Sequence, residues 1–168
     1  IGGERTLEQD PAFGFRQLVD VAVRALSPGT NDPTTAVQAL DRIHDLLRRL
    51  AVRQFPSPVH VVDGRVRLVV PRVTWQEYLR LATDEIRLSG ETQLHVMRRL
   101  RALLEDLATL APPERLPAVR AQLAELDAGV QRGFSSERDR QLALTSNRDG
   151  RSADGVPRAI GRPGAAPD

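Results

Sequence analysis

The segment 10–35 holds the side chains best suited to chemistry, in the sequence DPAFGFRQLVDVAVRALSPGTNDPTT. Its polar end places Ser27, Asn31, Asp32 and Thr35 around the expected start of a helix. A helix N-terminus attracts anions through its free amides and its dipole. This polar turn could therefore bind an anion or another small molecule, or support hydrolysis. An Asp32 that caps the helix would compete for the same amides.

Five more polar residues precede this turn and complete the candidate site. They are Arg5, Gln9, Asp10, Arg16 and Asp20. Asp10 also suits the cap of the first helix, and the spacing of Arg16 and Asp20 suits an ion pair along one helix face. Because such structural roles are available throughout the set, we favour a structural motif over a catalytic one. We assign no catalytic residue.

The three histidines offer little for metal binding or catalysis. His44, His60 and His95 are separated in the sequence, and His95 follows Glu91 by four residues, which could supply two metal ligands. A metal site needs at least a third ligand. The GxSxG, GxxxxGK[ST] and GxGxxG motifs are missing from the sequence. We therefore expect no metal and no cofactor, and an enzymatic function is disfavoured.

The composition is that of a folded globular domain. The 168 residues are 40% hydrophobic and 27% charged, and none is cysteine. All 24 basic residues are arginine, interleaved with 22 carboxylates, so that the formal net charge is only +2. DNA binding needs uncompensated positive charge, which makes it the third functional alternative, and we expect no nucleic-acid partner.

The first two helices should form an antiparallel αα-hairpin. Pro11 suits a first helical turn, and apolar residues recur at helical spacing up to the proline at position 28. Pro28 and Gly29 suit the centre of a type II turn. Asp32 then predicts an N-cap and Pro33 the first residue of the second helix, which extends to about residue 51.

A β-hairpin is predicted for residues 58–71, which read PVHVVDGRVRLVVP. Two valine-rich runs flank Asp63 and Gly64, the pair typical of a type I′ turn. An isolated two-stranded hairpin is only marginally stable. We therefore expect it to lie against the helices or to lengthen a sheet.

Three more helices should follow the hairpin. Thr74 and Glu77 predict a capping box at the start of the third helix, which Gly90 ends. The fourth spans about 91–110 and the fifth continues to about 130. The fold class is thus mainly helical α+β, with one domain at 1–134. The remainder, 135–168, is polar and is predicted to be a largely disordered tail.

Residues 4–43 resemble a bacterial family of predicted membrane proteins, the one known as domain of unknown function 2254. The similarity rests on Arg5-Thr6, Gln9-Asp10, Phe13-Gly14, the LVDVA run and the ALSPGTNDPTTA run that ends at position 36. It continues more weakly through the β-hairpin and through DEIRLSGE at 84–91. In all it covers about residues 1–140.

The resemblance implies several membrane spans followed by a soluble region, of which this chain would be the soluble part. No apolar run here approaches the ~20 residues of a spanning helix, and the chain begins with Ile1, so we expect a piece of a longer protein. The leading hypothesis is an extramembrane domain that serves assembly, sensing or gating. Its expected partners are a second copy and its own upstream spans, with the parent protein in the cell membrane and this domain on the cytoplasmic side. The family lends no catalytic residues.

Overall fold

The computed structural model describes residues 11–55, 57–69 and 72–146. These residues form six α-helices and one two-stranded antiparallel sheet, so the prediction of a mainly helical α+β fold is confirmed. The elements are α1 (Pro11–Ala25), α2 (Pro33–Val52), β1 (Val59–Val62), β2 (Arg65–Val69), α3 (Trp75–Ser89), α4 (Leu94–Leu110), α5 (Leu116–Gly133) and α6 (Glu137–Ala143). A short 3-10 turn, Pro113–Arg115, leads into α5.

Five of these helices close a ring around one hydrophobic core. In order around the ring, α1 packs on α2, α2 on α4, α4 on α5, α5 on α3, and α3 back on α1. The side chains that meet inside are apolar residues at helical spacing. The largest that are fully buried are Phe15, Leu40, Ile43, Leu47, Leu79, Ile86, Met97, Leu100, Leu103, Leu104, Leu107 and Leu126.

The αα-hairpin forms as predicted, but its turn is of a different type. Asp32 is the N-cap of α2 and Pro33 its first residue. A type II turn requires a positive φ at Gly29, and Gly29 does not have one. Asn31 takes the left-handed conformation instead, at φ 44°, which asparagine tolerates better than most residues. The prediction of a type II turn was therefore wrong.

The β-hairpin has the predicted type I′ turn. Asp63 and Gly64 both have positive φ, 52° and 69°, as this turn requires. The two strands pair only with each other within the described residues. Every residue of β2 is exposed, so the strand does not bury a face against the helices. For β2, the expectation that the hairpin lies against helices is not met, and among the described residues the hairpin does not extend a larger sheet.

The third helix starts and ends as predicted, whereas the fourth starts later. The capping box between Thr74 and Glu77 is present, and Gly90 is the C-cap of α3. Residues 90–93 form a turn in which the Gln93 amide donates to the Gly90 carbonyl at 2.8 Å. As a result α4 begins at Leu94 rather than at residue 91.

The segment predicted as a polar tail, 135–168, begins with ordered structure. Helix α6 lies against α4 and α5 and buries Ala143. The Arg140 guanidinium donates to the carbonyls of Phe134 and Ser135 at 2.9 and 3.1 Å. A helix with one buried alanine leaves little apolar signal in the sequence. Residues from 147 onward, like residues 1–10, lie outside the described part of the chain.

Candidate functional site

The carboxylate of Asp32 is fully engaged at the start of α2. Its Oδ1 accepts a hydrogen bond from the backbone N–H of Thr35 at 3.1 Å, and its Oδ2 accepts one from the Thr35 hydroxyl at 2.6 Å. These hydrogen bonds hold the pKa of Asp32 below its ordinary value. An ionised cap therefore occupies the amides that would otherwise attract an anion.

The remaining groups of the turn are also satisfied locally. The Ser27 hydroxyl lies 2.7 Å from the carbonyl oxygen of Arg24 and 3.2 Å from the Thr30 hydroxyl. The Asn31 amide donates to the Ser27 carbonyl at 2.8 Å, and the Asp32 amide reaches back to α1. Ser27 thus has a turn-forming role, and no nucleophile with a neighbouring base is formed here by the described residues.

One hydrogen bond joins this turn to the connection between α3 and α4. The Gln93 side-chain amide donates to Oδ1 of Asn31 at 3.2 Å. Gln93 lies two residues after the segment 84–91, so the hydrogen bond places the turn near the second segment that carries the family resemblance. We call residues 27–35 with Gln93 the polar joint. The geometry gives the joint a structural role between two distant parts of the chain.

The candidate residues on α1 do not take part in the polar joint. Arg16 and Asp20 are exposed, and within the described residues they form no hydrogen bond or ion pair with each other or with the turn. Arg5, Gln9 and Asp10 lie outside the described residues. Of the nine candidates, the structure gathers four: Ser27, Asn31, Asp32 and Thr35.

Sequence reasoning missed a second polar cluster, which lies between α2 and α4. Nε2 of His44 is 2.8 Å from Oδ2 of Asp106, and Nδ1 of His44 is 2.9 Å from Nη2 of Arg99. A guanidinium can only donate, so Nδ1 accepts and Nε2 carries the proton that is donated to Asp106. The imidazole is therefore neutral in this arrangement.

Further ion pairs extend this cluster along the two helices. Arg48 also donates to Asp106, and Nε of Arg99 donates to Asp41 at 2.5 Å. Burial lowers the pKa of His44, and repulsion from Arg99 lowers it further, against the opposing hydrogen bond to Asp106. Burial raises the pKa of Asp106, but the hydrogen bonds from His44 and Arg48 outweigh this effect and lower it overall.

The His44 cluster resembles a catalytic dyad only in composition. Both imidazole nitrogens are already occupied, so His44 cannot take a proton from a substrate without breaking a contact. The signal that could have revealed the cluster is the spacing of Asp41, His44 and Arg48 along one side of α2. Over the part of the chain that is described, no group of three or more histidine or carboxylate side chains could hold a metal ion.

Comparison with known proteins decides the family. Residues 1–106 match the family described as "Predicted membrane protein (DUF2254)". The chain belongs to the DUF2254 family. The resemblance seen in the sequence is thereby confirmed. Among the helices formed by the described residues, none is long and apolar enough to cross a membrane.

Curated relatives of this DUF2254 chain come from mycobacteria. Uncharacterised proteins Rv1290c of Mycobacterium tuberculosis H37Rv and Mb1321c of Mycobacterium bovis are each 38% identical to it over 146 residues. The alignment covers 86% of this chain but only 28% of each relative. No solved structure matches the chain.

Proposed function

We propose that this chain is an extramembrane domain of an integral membrane protein and that it serves assembly by resting its β-hairpin on the bilayer surface. The family description and the small share of each relative that the chain spans, 28%, support a domain within a larger membrane protein. The observation that carries the proposal is the exposed hairpin itself.

The hairpin presents apolar side chains that the helical ring does not cover. Val66, Leu68 and Val69 of β2 are 61%, 55% and 59% exposed. Scattered exposed apolar residues are ordinary, but a cluster of them on one protruding element marks an interaction surface. An isolated hairpin is only marginally stable, so an apolar partner that covers β2 would also stabilise it.

The charges on the hairpin favour an anionic lipid surface as that partner. Arg65 and Arg67 are interspersed with Val66 and Leu68 on β2, and all four side chains are exposed, so that basic and apolar groups lie together on one short strand. Each arginine near an anionic bilayer contributes about 1 kcal/mol of attraction. A second copy paired along β2 would bring like charges close together, which disfavours that alternative.

The proposal places this domain on the cytoplasmic side, because the cytoplasmic leaflet carries the negative surface potential that attracts basic segments. Within it, the polar joint would hold the geometry of the domain. A ligand or an enzymatic role for the turn is disfavoured, because Asp32 already occupies the amides at the start of α2.

Vesicle co-sedimentation tests the hairpin directly. We expect the chain to bind vesicles that contain phosphatidylglycerol, and to bind pure phosphatidylcholine vesicles far less. The double variant Val66→Ser, Leu68→Ser should lose most of this binding. Leu88→Ser is the matched control, since Leu88 on α3 is 59% exposed and should not contact lipid. Equal binding by both variants would refute the role of the hairpin.

Cell fractionation of a native host tests the membrane assignment. An antibody to this domain should detect a band well above 18.5 kDa that only detergent releases from membranes. A soluble band near that mass would refute the proposal.

Analytical ultracentrifugation of the domain at high concentration tests whether a second copy of the chain, rather than lipid, covers the hairpin. A dimer that the double variant Val66→Ser, Leu68→Ser abolishes would assign the hairpin to a second copy instead.

A further inference from the structure

A cleft of about 340 Å³ opens between α3 and α5, away from the polar joint and the hairpin. Leu79 and Ala118 contribute apolar wall to it. Four charged residues line it as well: Arg80, Asp84, Arg87 and Glu125. Most of the lining is thus polar or charged, and convergent polar groups in a concave site are the part of a small-molecule site that fixes orientation and specificity.

Arg87 is a buried cation without an adequate partner. The residue is only 8% exposed, and its Nε and Nη1 atoms are buried with no hydrogen-bond acceptor. Its nearest counter-charge is Oε2 of Glu125, 3.9 Å from Nη2, which is beyond hydrogen-bond distance. A buried charge is costly unless it is both paired and hydrogen-bonded, so this guanidinium needs an acceptor.

Other buried polar groups beside the cleft do have partners within the protein. The Thr83 hydroxyl donates to the Leu79 carbonyl at 2.8 Å and lies 3.0 Å from Oε1 of Gln122. Thr83 and Gln122 are 1% and 6% exposed, as deeply buried as Arg87. At this contact between α3 and α5, the side chains of Thr83 and Gln122 are therefore paired, whereas Nε and Nη1 of Arg87 are not.

Asp84 supplies the opposite charge in the same cleft. It lies three residues before Arg87 on α3 and is half-buried. No hydrogen bond or ion pair joins it to another residue in the described part of the chain, Arg87 included. The cleft thus holds a carboxylate without a partner among the described residues and a cation of which two buried nitrogens lack an acceptor.

We propose that this cleft binds a small zwitterion with the chemistry of an aliphatic amino acid. The ligand carboxylate accepts from the Arg87 guanidinium, and its ammonium group donates to Asp84. A short aliphatic side chain packs on Ala118 and Ala121. A multiply charged anion is disfavoured, because the carboxylates of Asp84 and Glu125 line the same space as the two arginines.

Three probes that share one carbon skeleton test this assignment at neutral pH. L-Valine carries both charged groups, isovalerate only the carboxylate, and isobutylamine only the ammonium group. Titrations followed by NMR of backbone amides or by calorimetry should show valine binding about tenfold or more tighter than either, since each charged hydrogen bond adds affinity. Amide shifts should centre on α3 and α5.

Two variants divide the site. Arg87→Met should abolish binding of valine and isovalerate, and Asp84→Asn should remove the advantage of valine over isovalerate without loss of isovalerate binding. The matched controls are Glu85→Gln and Arg120→Met, exposed residues on the same two helices that do not line the cleft. Circular dichroism confirms that each variant is folded.

Three results would overturn the proposal. Equal affinities of isovalerate and valine for the wild-type domain would reject the zwitterion. Retention of valine binding by folded Arg87→Met would place the ligand elsewhere. If none of the probes binds the folded wild-type domain at millimolar concentration, water alone satisfies Arg87. Vesicle binding by the hairpin is unaffected by each of these results, so the two proposals fail independently.

Discussion

Two arginines at opposite ends of the bundle show how differently the same side chain is used. The Arg115 guanidinium donates three hydrogen bonds to carbonyl groups at the C-terminal end of α2. The acceptors are Leu50, Ala51 and Arg53, at 2.7, 2.6 and 2.7 Å. Arg87 has no hydrogen-bond acceptor for two of its buried nitrogens.

Aromatic rings complete the surroundings of Arg115. Its guanidinium carbon lies 4.5 Å from the ring centroid of Phe55 and 5.6 Å from that of Trp75. The Trp75 indole N–H donates in turn to the Arg115 carbonyl at 3.2 Å. A cation at a helix C-terminus also interacts favourably with the helix dipole. Arg115 is therefore a structural cap, and the protein itself supplies its hydrogen-bond acceptors and its aromatic partners.

The hydrogen-bond acceptors around each guanidinium distinguish the structural arginine, Arg115, from the ligand-binding one, Arg87. Arg87 is buried on α3, whereas Arg115 is half-buried in the 3-10 turn that leads into α5. Arg115 replaces water by carbonyls and rings, whereas Arg87 loses water and gains only a distant carboxylate. A buried polar group without a partner in the protein calls for a partner from outside.

The largest effect should come from removal of the structural arginine. Arg115→Met leaves three carbonyls at the end of α2 without their donor, and should lower the free energy of unfolding by about 2–4 kcal/mol. Urea denaturation measures the change. The control is Arg49→Met, an exposed arginine in the last turn of the same helix. A loss of stability no larger than that of the control would show that Arg115 is not a structural cap of α2.

A second prediction tests how closely the end of α5 packs against the turn that follows α3. A Cβ on Gly133 of α5 would overlap the backbone carbonyl of Glu91, just beyond the end of α3. Gly133→Ala should therefore cost about 1–3 kcal/mol, by urea denaturation. Gly29→Ala is the control, since a Cβ there meets nothing within 4 Å. Equal stability of both variants would show that the end of α5 and the turn at 90–93 can move apart at little cost.

Acidification should destabilise the cluster between α2 and α4, in which arginines contact His44 and Asp106. The pKa of folded His44 lies below the ordinary 6.5, so the unfolded chain binds more protons just below that pH. The free energy of unfolding should thus fall as the pH decreases below about 6.5, and His44→Gln should flatten this dependence. Denaturation between about pH 7.5 and 5.5 measures it, with exposed His95→Gln as control. Unchanged pH dependence in His44→Gln would contradict the neutral imidazole.

Further acidification should remove the contribution of Asp106 as well. Its pKa in the folded protein is lowered from the ordinary 3.8, so its stabilisation is present above that pH and is lost as the pH falls through the folded value. The matching variant is Asp106→Asn, which should reduce the loss of stability in this acidic range.

The smallest effect is expected at the polar joint. Asp32→Ala removes the N-cap of α2 and should lower the melting temperature by about 2–5 °C. Valine binding in the cleft should be unchanged, because the joint and the cleft share no residue. Differential scanning fluorimetry with and without valine measures both. If Asp32→Ala lost valine binding at unchanged stability, the ligand site would lie in the turn and not in the cleft.

Sequence reasoning succeeded where a few neighbouring residues decide the conformation. The Asp32 cap with Pro33, the Thr74 and Glu77 capping box and the turn at 63–64 are all local, and all were predicted. It failed on the turn at 28–29, because asparagine and glycine both tolerate a positive φ and the sequence does not show which of Gly29 and Asn31 adopts it.

Contacts between distant segments were out of reach. The hydrogen bond from Gln93 to Asn31 has no signal within one short window, and the spacing of Asp41, His44 and Arg48 on α2 does not reveal their partners Arg99 and Asp106 on α4. Arg87 did leave a trace, since it follows Leu79 and Thr83 at intervals of four along the buried face of α3. An arginine on such a face must be either paired or functional, but only the structure shows that its acceptors are missing.

Unfolding of Arg87→Met and Arg115→Met side by side, in buffer free of amino acids, tests the central claim most directly. We expect Arg87→Met to be as stable as the wild type or up to about 1 kcal/mol more stable, because an apolar side chain of similar length replaces an unpaired buried charge. Arg115→Met should be clearly destabilised. If Arg87→Met lost as much stability as Arg115→Met, Arg87 would be a second structural arginine and the account of the cleft would be wrong.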